Sequence, residues 1–240
     1  MASRVMRYRT PKRMAVDDPR KRLIETGLDL FGKYSFDGAS TRMLAEGAQV
    51  NLAAITYYFG GKDGLYLAVA DYIVEEINGL VGPCLVKARE AAEREGLSRE
   101  QGIEILCELV EFFITLLLGR PGPEKWLSFI VREQLCPTEA FGILYEGFMR
   151  PMYQALFGLV ARIMGEGPED QEVKLRVIAI LGQIQIFHIS PSAVKRTLGW
   201  ESYGPENLEA VRCVVMDNLR RIFSIVPNCS SNGSDAWTVL

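Results

Sequence analysis

Two short helical patterns follow one another in residues 40–62, which read STRMLAEGAQVNLAAITYYFGGK. The spacing of apolar and small residues predicts one helix over 42–48 and a second over 52–58, with a tight break between them. Either Ser40 or Thr41 can cap the first helix with its hydroxyl group. Two short helices joined by such a turn are typical of the helix-turn-helix motif.

The second of these helices has two faces of different chemistry. Ile55 and Phe59 lie four residues apart and are predicted to point into the core. The other face carries small and hydroxyl-bearing side chains, namely Ala53, Ala54, Thr56, Tyr57 and Tyr58. Small side chains let a helix enter the major groove of DNA, which is about 12 Å wide, and hydroxyl groups can donate to phosphates. An ordinary helical hairpin with the tyrosines in its core would show a similar pattern.

A further helix is predicted in front of this pair. Asp18 is a suitable N-cap, and Pro19 then occupies the first helical position. Apolar residues recur with a period of 3.6 as far as Phe31. This helix is predicted to end near residues 32–34 and to be followed by a loop over 35–39. The three helices together predict a small DNA-binding domain.

Charge is distributed unevenly along the chain of 240 residues, which is 48% apolar and has a net charge of −3. Residues 1–62 contain 11 Lys and Arg against 6 Asp and Glu, whereas the remainder is acidic. A basic N-terminal segment on an acidic body indicates contact with a polyanion, although solvation alone would also explain it. The composition is that of a globular protein with one large or two smaller domains.

Several classes of function are excluded by what the sequence lacks. The apolar runs are too short to cross a bilayer and no signal peptide is recognisable, so a cytoplasmic protein without a membrane partner is predicted. The five cysteines are widely spaced, and His188 is the only histidine, which argues against a disulfide framework or a metal site. No catalytic motif is present, so we expect no enzyme, no catalytic residues and no cofactor.

The N-terminal residues resemble the TetR/AcrR family of transcriptional regulators. The resemblance covers the first helix with Gly27 and Phe31, and continues through residues 36–45, 48–59 and 62–65. It implies an all-α fold with an N-terminal three-helix helix-turn-helix domain and a C-terminal helical bundle of the TetR type.

Three positions depart from the family pattern. Leu44 stands where isoleucine is usual, and Thr56 directly precedes the tyrosine pair, which lacks the histidine that often follows it. Gln49 replaces the glycine of the turn, a change that can alter the φ angle there. None of the three changes the apolar pattern of the core.

The resemblance implies a set of residues that bind double-stranded operator DNA: Thr41, Arg42, Leu52, Ala53, Ala54, Thr56, Tyr57, Tyr58 and Lys62. Within this set, Leu52, Ala53 and Ala54 face bases, and Arg42 reaches a base edge or a phosphate. The others contact the DNA backbone. The basic segment Arg4–Arg13 either enters the adjacent minor groove or adds only non-specific affinity.

Four segments are predicted along the chain: a basic arm over 1–16, the helix-turn-helix domain over 17–62, an effector-binding and dimerisation domain over 63–226, and a disordered tail over 227–240. Helices of the second domain are predicted over 63–81, 84–95, 99–118, 123–135, 138–164 with a bend at Pro151, 169–190 and 206–226. The resemblance implies that the last two helices pair with a second copy. An apolar stripe predicts the dimer contact at Leu208, Val211, Val215, Leu219 and Ile222.

A weaker resemblance extends over the second domain, to the TetR branch that includes CecR. It rests on residues 129–133 and 137–141, on Pro151, and on Gly182, Gln183 and Phe187. Candidates for binding a small-molecule effector are Trp126, Phe129, Arg132, Gln185 and His188. For the aromatic residues and His188, a place in the core or at an interface is the simpler interpretation. Arg132 and Glu133 fit either a structural pair or an anchor for an anionic ligand.

The function implied by the resemblance is a dimeric repressor that a small molecule releases from a palindromic operator. Two alternatives remain at this stage. The protein can instead be an activator, or a helical sensor that does not bind DNA sequence-specifically.

Overall fold

The computed structural model describes residues 18–119 and 123–224, and every regular element in these ranges is helical. The predicted all-α fold is confirmed. The basic arm 1–16 and the tail 227–240 lie outside the described residues. The helices are α1 (Pro19–Gly38), α2 (Thr41–Gly47), α3 (Ala53–Phe59), α4 (Lys62–Glu93), α5 (Arg99–Leu118), α6 (Pro123–Leu135), α7 (Glu139–Leu144), a π-helical turn (Tyr145–Met149), α8 (Arg150–Met164), α9 (Gln171–Ile189), α10 (Pro191–Leu198) and α11 (Pro205–Ser224).

The described chain divides into two compact units, and helices α4 and α6 each contribute residues to both. The first unit comprises residues 18–73 and 128–143, and the second comprises 74–119, 123–127 and 144–224. In the first unit, α1, α2 and α3 pack against one another. Their core consists of fully or almost fully buried apolar side chains, among them Leu23, Phe31, Leu44, Ile55 and Leu65.

Helix α1 begins as predicted but ends differently. The Asp18 carboxylate accepts a hydrogen bond from the Arg20 backbone N–H at 2.9 Å, with Pro19 in the first turn. The predicted loop over 35–39 is wrong, because the chain resumes a helical turn as far as Gly38 after an interruption at Ser35. Ser35 has φ 67° and ψ 174°, a conformation that is rarely adopted by residues other than glycine. The interruption lets the Phe36 ring pack against Phe31 in the core.

The second unit is a bundle centred on α5, which packs against α8, α9 and α11. Ser98 and Gln101 form a reciprocal capping box at the start of α5. The side chains between these helices are apolar and buried, including Leu106, Val110 and Leu156. Within the described residues no single helix is long and apolar enough to cross a membrane; α9 and α10, bent by 82°, meet that test only when taken together.

The prediction of two helices over 63–81 and 84–95 is wrong, because α4 continues through Pro83. The buried positions Ile77, Val81, Leu85 and Ala88 keep a helical spacing across the proline. Proline removes one backbone hydrogen bond and crowds the carbonyl group four residues earlier. That residue is Gly79, and because both Gly79 and Pro83 are exposed, water can bond to the carbonyl that the proline leaves without a donor.

The predicted helix over 138–164 is interrupted just before Pro151 by the π-helical turn. Proline has no N–H group to donate to the carbonyl of Gly147, four residues earlier. The side-chain amide of Asn78 on α4 donates to this carbonyl instead, at 3.0 Å. Close approach requires glycine here, since an added Cβ would lie 2.7 Å from a methyl carbon of Val74.

One helix was not predicted at all. Helix α10 begins with Pro191, in the first turn where proline is favoured, and ends at Gly199 with φ 69°. The sequence analysis predicted no helix between residues 190 and 206, although proline and glycine are the usual boundaries of a short helix.

Candidate DNA-binding surface

The turn between α2 and α3 has a defined hydrogen-bond pattern. The hydroxyl oxygen of Ser40, rather than that of Thr41, accepts from the Met43 N–H at 3.2 Å and caps α2. The Gln49 N–H donates to the Glu46 carbonyl and the Val50 N–H to the Ala45 carbonyl, at 3.1 and 3.0 Å. These two bonds form a Schellman motif, whose penultimate residue adopts the left-handed conformation that favours glycine.

Gln49 occupies that left-handed position with φ 54°. The turn therefore keeps the same conformation although glutamine replaces the family's glycine. Because a residue with a side chain adopts a positive φ less easily than glycine, this conformation costs energy. Asn51 then fixes the start of α3, because its side-chain oxygen accepts from the Ala53 N–H at 2.9 Å. Sequence reasoning missed this cap, although asparagine before a short helix is a common signal for one.

Helix α3 presents the predicted polar face to solvent. Ile55 is buried and Phe59 is half-buried, as predicted for the inner face. Tyr57 is 82% exposed, and Ala54 is half-buried. The remaining predicted contact residues of this segment are also exposed, namely Leu52, Ala53, Thr56 and Tyr58. A short helix with one side in the core and the other side free can be inserted into a groove of DNA.

Thr41 and Arg42 at the start of α2 are exposed as well. The Arg42 guanidinium donates to the Glu46 carboxylate at 2.7 Å, and this hydrogen bond raises the pKa of Arg42 above its usual value. Arg42 therefore keeps its positive charge but shares it with a neighbouring carboxylate. Because the pair is exposed and four residues apart on one helix, it contributes little to stability and can open when a phosphate or base competes.

Lys62, the first residue of α4, is half-buried. Its ammonium group lies 4.3 Å from the centroid of the Phe36 ring, within the range of a cation–π contact. Such a contact restrains the side chain without neutralising its charge. The free N–H groups of the first turn of α4 add to the positive potential at this point. Contact between Lys62 and a phosphate stays a prediction.

A buried polar cluster in the first unit was missed by the sequence analysis. The Glu133 carboxylate on α6 is buried and accepts from the Tyr66 hydroxyl of α4 at 2.5 Å. It also accepts from the backbone N–H and the hydroxyl of Thr138, at 3.0 and 2.9 Å. Burial and the adjacent carboxylate raise the pKa of Tyr66 well above its usual value, so its phenol remains a donor. No local sequence pattern signals a bond between residues so far apart.

Arg132, next to Glu133, makes a different contact. Its guanidinium donates to the carbonyl oxygen of Gly32 on α1 at 3.3 Å. Gly32 lies three residues before the strained Ser35, whose turn interrupts the helix. Arg132 and Glu133 therefore bond to different segments of the first unit. Both interpretations of the two residues, as a structural pair or as an anchor for an anionic ligand, stay predictions.

The five residues predicted to bind an effector are divided between the two units. Phe129 and Arg132 belong to the first unit, whereas Trp126, Gln185 and His188 belong to the second. Phe129 is buried, with its ring centroid 4.7 Å from that of Tyr66. Trp126 is buried, and Gln185 and His188 are half-buried on α9. Their part in ligand binding stays a prediction.

The apolar stripe of α11 that was predicted to form the dimer contact packs within the chain. Val211, Val215 and Leu219 are buried, while Leu208 and Ile222 are half-buried. Helix α11 lies against α5 and α9 of the same chain. The stripe is thus largely covered without a partner, because the same periodicity marks any helix face that meets a core.

Comparison with known proteins identifies both parts of the chain. Residues 23–69 match the family described as bacterial regulatory proteins, tetR family. Residues 103–224 match the C-terminal domain of the HTH-type transcriptional dual regulator CecR. The CecR protein of Shigella flexneri is 31% identical over 199 residues, which cover 83% of this chain and 88% of that protein. The regulator RutR of Escherichia coli K12 is 34% identical over 61 residues, which cover 25% of this chain and 29% of RutR.

Solved structures share the fold at lower sequence identity. AibR, solved with isovaleryl coenzyme A and operator DNA, is 13% identical with a TM-score of 0.60, over 84% of this chain and 97% of AibR. FadR from Bacillus subtilis, solved with stearoyl-CoA, is 16% identical with a TM-score of 0.52, over 83% of this chain and 96% of FadR. These comparisons confirm the family that the helix-turn-helix residues predicted. The chain belongs to the TetR family of bacterial transcriptional regulators, within the group that carries a CecR-type C-terminal domain, and it is a DNA-binding regulator of transcription.

Proposed function

We propose that this regulator is a homodimer that represses transcription by occupying a palindromic operator, and that a small-molecule effector releases it. The observation that carries the proposal is the exposed face of α3, on which Tyr57 is 82% exposed. No acidic residue occurs between Leu52 and Lys62, so nothing on this face repels a phosphate. The proposal includes a DNA-binding domain over residues 17–62 and an effector-binding and dimerisation domain over 63–226. It also includes a cytoplasmic location.

The DNA contacts follow from the positions on α2, α3 and α4. Leu52, Ala53 and Ala54 at the start of α3 meet base edges, where their small or apolar side chains contact thymine methyl groups. Hydroxyl groups and cations around them bind the DNA backbone, namely Thr41, Thr56, Tyr57, Tyr58 and Lys62. Arg42 supplies the one strong hydrogen-bonding group near the bases, so DNA shape contributes to specificity.

Dimerisation involves an exposed face of the second unit. Helix α9 bears four large apolar side chains that are each about half exposed and that recur at intervals typical of a helix interface: Leu175, Ile178, Ile186 and Ile189. Val214 on α11 is also exposed, and the two helices are joined by a hydrogen bond of 3.1 Å from Asn218 to Gln183. A second copy covers this face through a two-fold axis. The two α3 helices then read half-sites about 34 Å apart.

Effector binding shifts the population between a DNA-binding form and a released form. Trp126, Phe129, Arg132, Gln185 and His188 are the candidates from the sequence. Helices α4 and α6 are the candidates for transmission, because the first part of α4 and the last part of α6 belong to the DNA-binding unit. A shift along either helix changes the spacing of the two recognition helices.

The proposal is tested by fluorescence anisotropy with DNA from immediately upstream of the protein's own gene, and with random DNA, at several salt concentrations. We expect tight binding to one palindromic site with a steep dependence on salt, since several phosphates are contacted. An activator would bind the operator equally well and would raise transcription in a reporter assay. No preference over random DNA would support the sensor alternative and contradict the proposal.

A matched pair of variants locates the interface. Tyr57→Ala removes an exposed ring and hydroxyl on α3, and we expect about fivefold to tenfold weaker operator binding from the loss of a backbone contact. Tyr34→Ala removes a tyrosine that is 41% exposed on α1, outside the predicted contact set, and is expected to change affinity less than about twofold. Equal losses for both variants would contradict the assignment of α3 as the recognition helix.

A further inference from the structure

A groove of about 410 Å³ lies on the second unit, separate from the five candidate effector residues. This volume lies within the range of roughly 300–1,000 Å³ that is usual for small-molecule sites. Its walls come from the π-helical turn and α8 on one side, and from α9 with the segment before it on the other. The lining residues include Tyr145, Arg150, Tyr153, Phe157, Lys174 and Ile178.

The π-helical turn determines which side chains line this groove. Its backbone N–H at Arg150 bonds to the Tyr145 carbonyl, five residues earlier. The residue one turn after Tyr145 is therefore Arg150 rather than Met149. Met149 is buried, while the Arg150 guanidinium lies 5.5 Å from the centroid of the Tyr145 ring. Single π-helical turns within helices occur frequently at functional sites, and a ligand site at this groove agrees with that tendency.

One wall of the groove is aromatic. The Tyr153 and Phe157 rings on α8 are nearly parallel, with an interplanar angle of 19° and centroids 5.7 Å apart. Both residues are half-buried, and burial raises the pKa of Tyr153, so its phenol stays neutral. A planar ring can stack against such a surface with offset or edge contacts.

Two cations flank this aromatic wall, and each forms an ion pair with an exposed carboxylate. Arg150 contacts Glu146 at 2.7 Å, and Lys174 contacts Glu169 at 2.7 Å. The Glu169 side chain is 89% exposed and is free to turn away from the groove. Exposed pairs of this kind contribute little to stability. An anionic group on a ligand can therefore replace either carboxylate at small cost.

We propose that this groove binds a small planar aromatic anion, with its ring against Tyr153 and Phe157 and its anionic group between Arg150 and Lys174. Ile178 belongs both to the groove and to the exposed apolar face of α9, so a bound ligand changes the surface through which the dimer forms. This link between binding and operator release rests on the proposed function, whereas ligand binding itself does not.

The test is isothermal titration calorimetry of the full-length protein with three probes. These are 1-naphthoate, the neutral 1-naphthalenemethanol and the non-aromatic cyclohexanecarboxylate. We expect 1-naphthoate to bind at least about tenfold more tightly than either of the others, because only it uses both the rings and the cations. Equal affinity for the neutral alcohol, or no binding of 1-naphthoate at millimolar concentration, overturns the proposal.

Variants show where the probe binds. Lys174→Gln and Phe157→Leu are each expected to weaken 1-naphthoate binding about fivefold to tenfold. Lys87→Gln removes another lysine from an exposed ion pair, the one with Glu108, and is expected to leave the affinity within about twofold. Lys174 is half-buried, so circular dichroism first checks that Lys174→Gln is folded. Unchanged binding in the folded variant places the probe elsewhere and overturns the assignment.

A parallel anisotropy titration with operator DNA separates the two proposals. If naphthoate binding depends on Lys174 and weakens operator binding, both the site and its role in operator release are supported. Naphthoate binding that depends on Lys174 without any effect on DNA supports the site and contradicts its role as the effector site.

Discussion

The Tyr66 hydroxyl of α4 donates to the buried Glu133 carboxylate of α6 at 2.5 Å, although 67 residues separate the two in the chain. A buried carboxylate is costly unless its oxygens are hydrogen-bonded, and here Tyr66 and Thr138 supply the donors. Tyr66 also lies four residues after Lys62, at the start of the helix that follows the recognition helix. The bond therefore holds the C-terminal part of α6 to α4 within the first unit.

Tyr66→Phe tests the energetic weight of this bond. The phenylalanine ring keeps the contacts with Phe31 and Phe129 but leaves the carboxylate with one donor fewer. We expect the free energy of unfolding to fall by about 1–3 kcal/mol, the usual cost of leaving a buried group unsatisfied. Urea unfolding followed by circular dichroism measures this change. Tyr203→Phe, which removes a hydroxyl that donates to the Phe187 carbonyl nearer the surface, is the control and is expected to lose less.

The raised pKa of Tyr66 also predicts that the stability difference between wild type and Tyr66→Phe depends on pH. The pKa of Tyr66 is raised in the folded protein, so the folded state holds this proton at pH values where an unfolded tyrosine, with a pKa of about 10, releases it. The protonated Tyr66 hydroxyl therefore contributes fully to the free energy of unfolding below pH of about 9. This contribution is lost as the pH rises above about 10. The difference in unfolding free energy between wild type and Tyr66→Phe should narrow above pH of about 10. A difference that widens there would contradict a raised pKa.

Local features of the fold could be predicted from the sequence, whereas distant contacts could not. The cap at Asp18 and the pair α2 and α3 depend on residues close together in the chain. Pro83 predicted a helix break, because the sequence shows that proline removes one backbone hydrogen bond. The sequence does not show the packing of the residues around Pro83, which keeps α4 continuous. Likewise, periodicity marked the stripe containing Val215 as apolar, without showing whether its own chain or a second copy covers it.

Gln49 provides a test of the strained turn between α2 and α3. Gln49→Gly places at φ 54° the residue that adopts this conformation without steric cost. We expect a gain in stability of about 0.5–1 kcal/mol, reduced in part by the greater freedom of glycine in the unfolded chain. Thermal unfolding measures the gain, with Gln101→Gly in α5 as the opposite control, since it removes a capping-box partner in a helix. A loss of stability in Gln49→Gly would contradict the strained conformation.

Ile186 tests the proposed dimer face. The side chain is 50% exposed on α9, so Ile186→Asp should leave the folded chain largely intact. In a two-fold dimer the charge is introduced in both copies, and we expect the dimer dissociation constant to rise at least about tenfold. Sedimentation equilibrium measures this constant. Val86→Asp, at an apolar position of α4 that is 46% exposed, is the matched control and should leave the constant unchanged. Dimerisation that is insensitive to Ile186→Asp would place the interface elsewhere.

Glu46 is expected to weaken DNA binding, because its carboxylate pairs with Arg42 at 2.7 Å on the exposed side of α2. Glu46→Gln removes one negative charge near the phosphates and leaves the Arg42 guanidinium available to DNA. We expect operator affinity to rise about twofold to fivefold at low salt, with a smaller gain at high salt because exposed charges are screened. Asp217→Asn opens an exposed ion pair of the same spacing, with Arg221 in the second unit, and should leave affinity unchanged. Weaker operator binding by Glu46→Gln would mean that Glu46 positions Arg42 for a base rather than competing with the DNA for it.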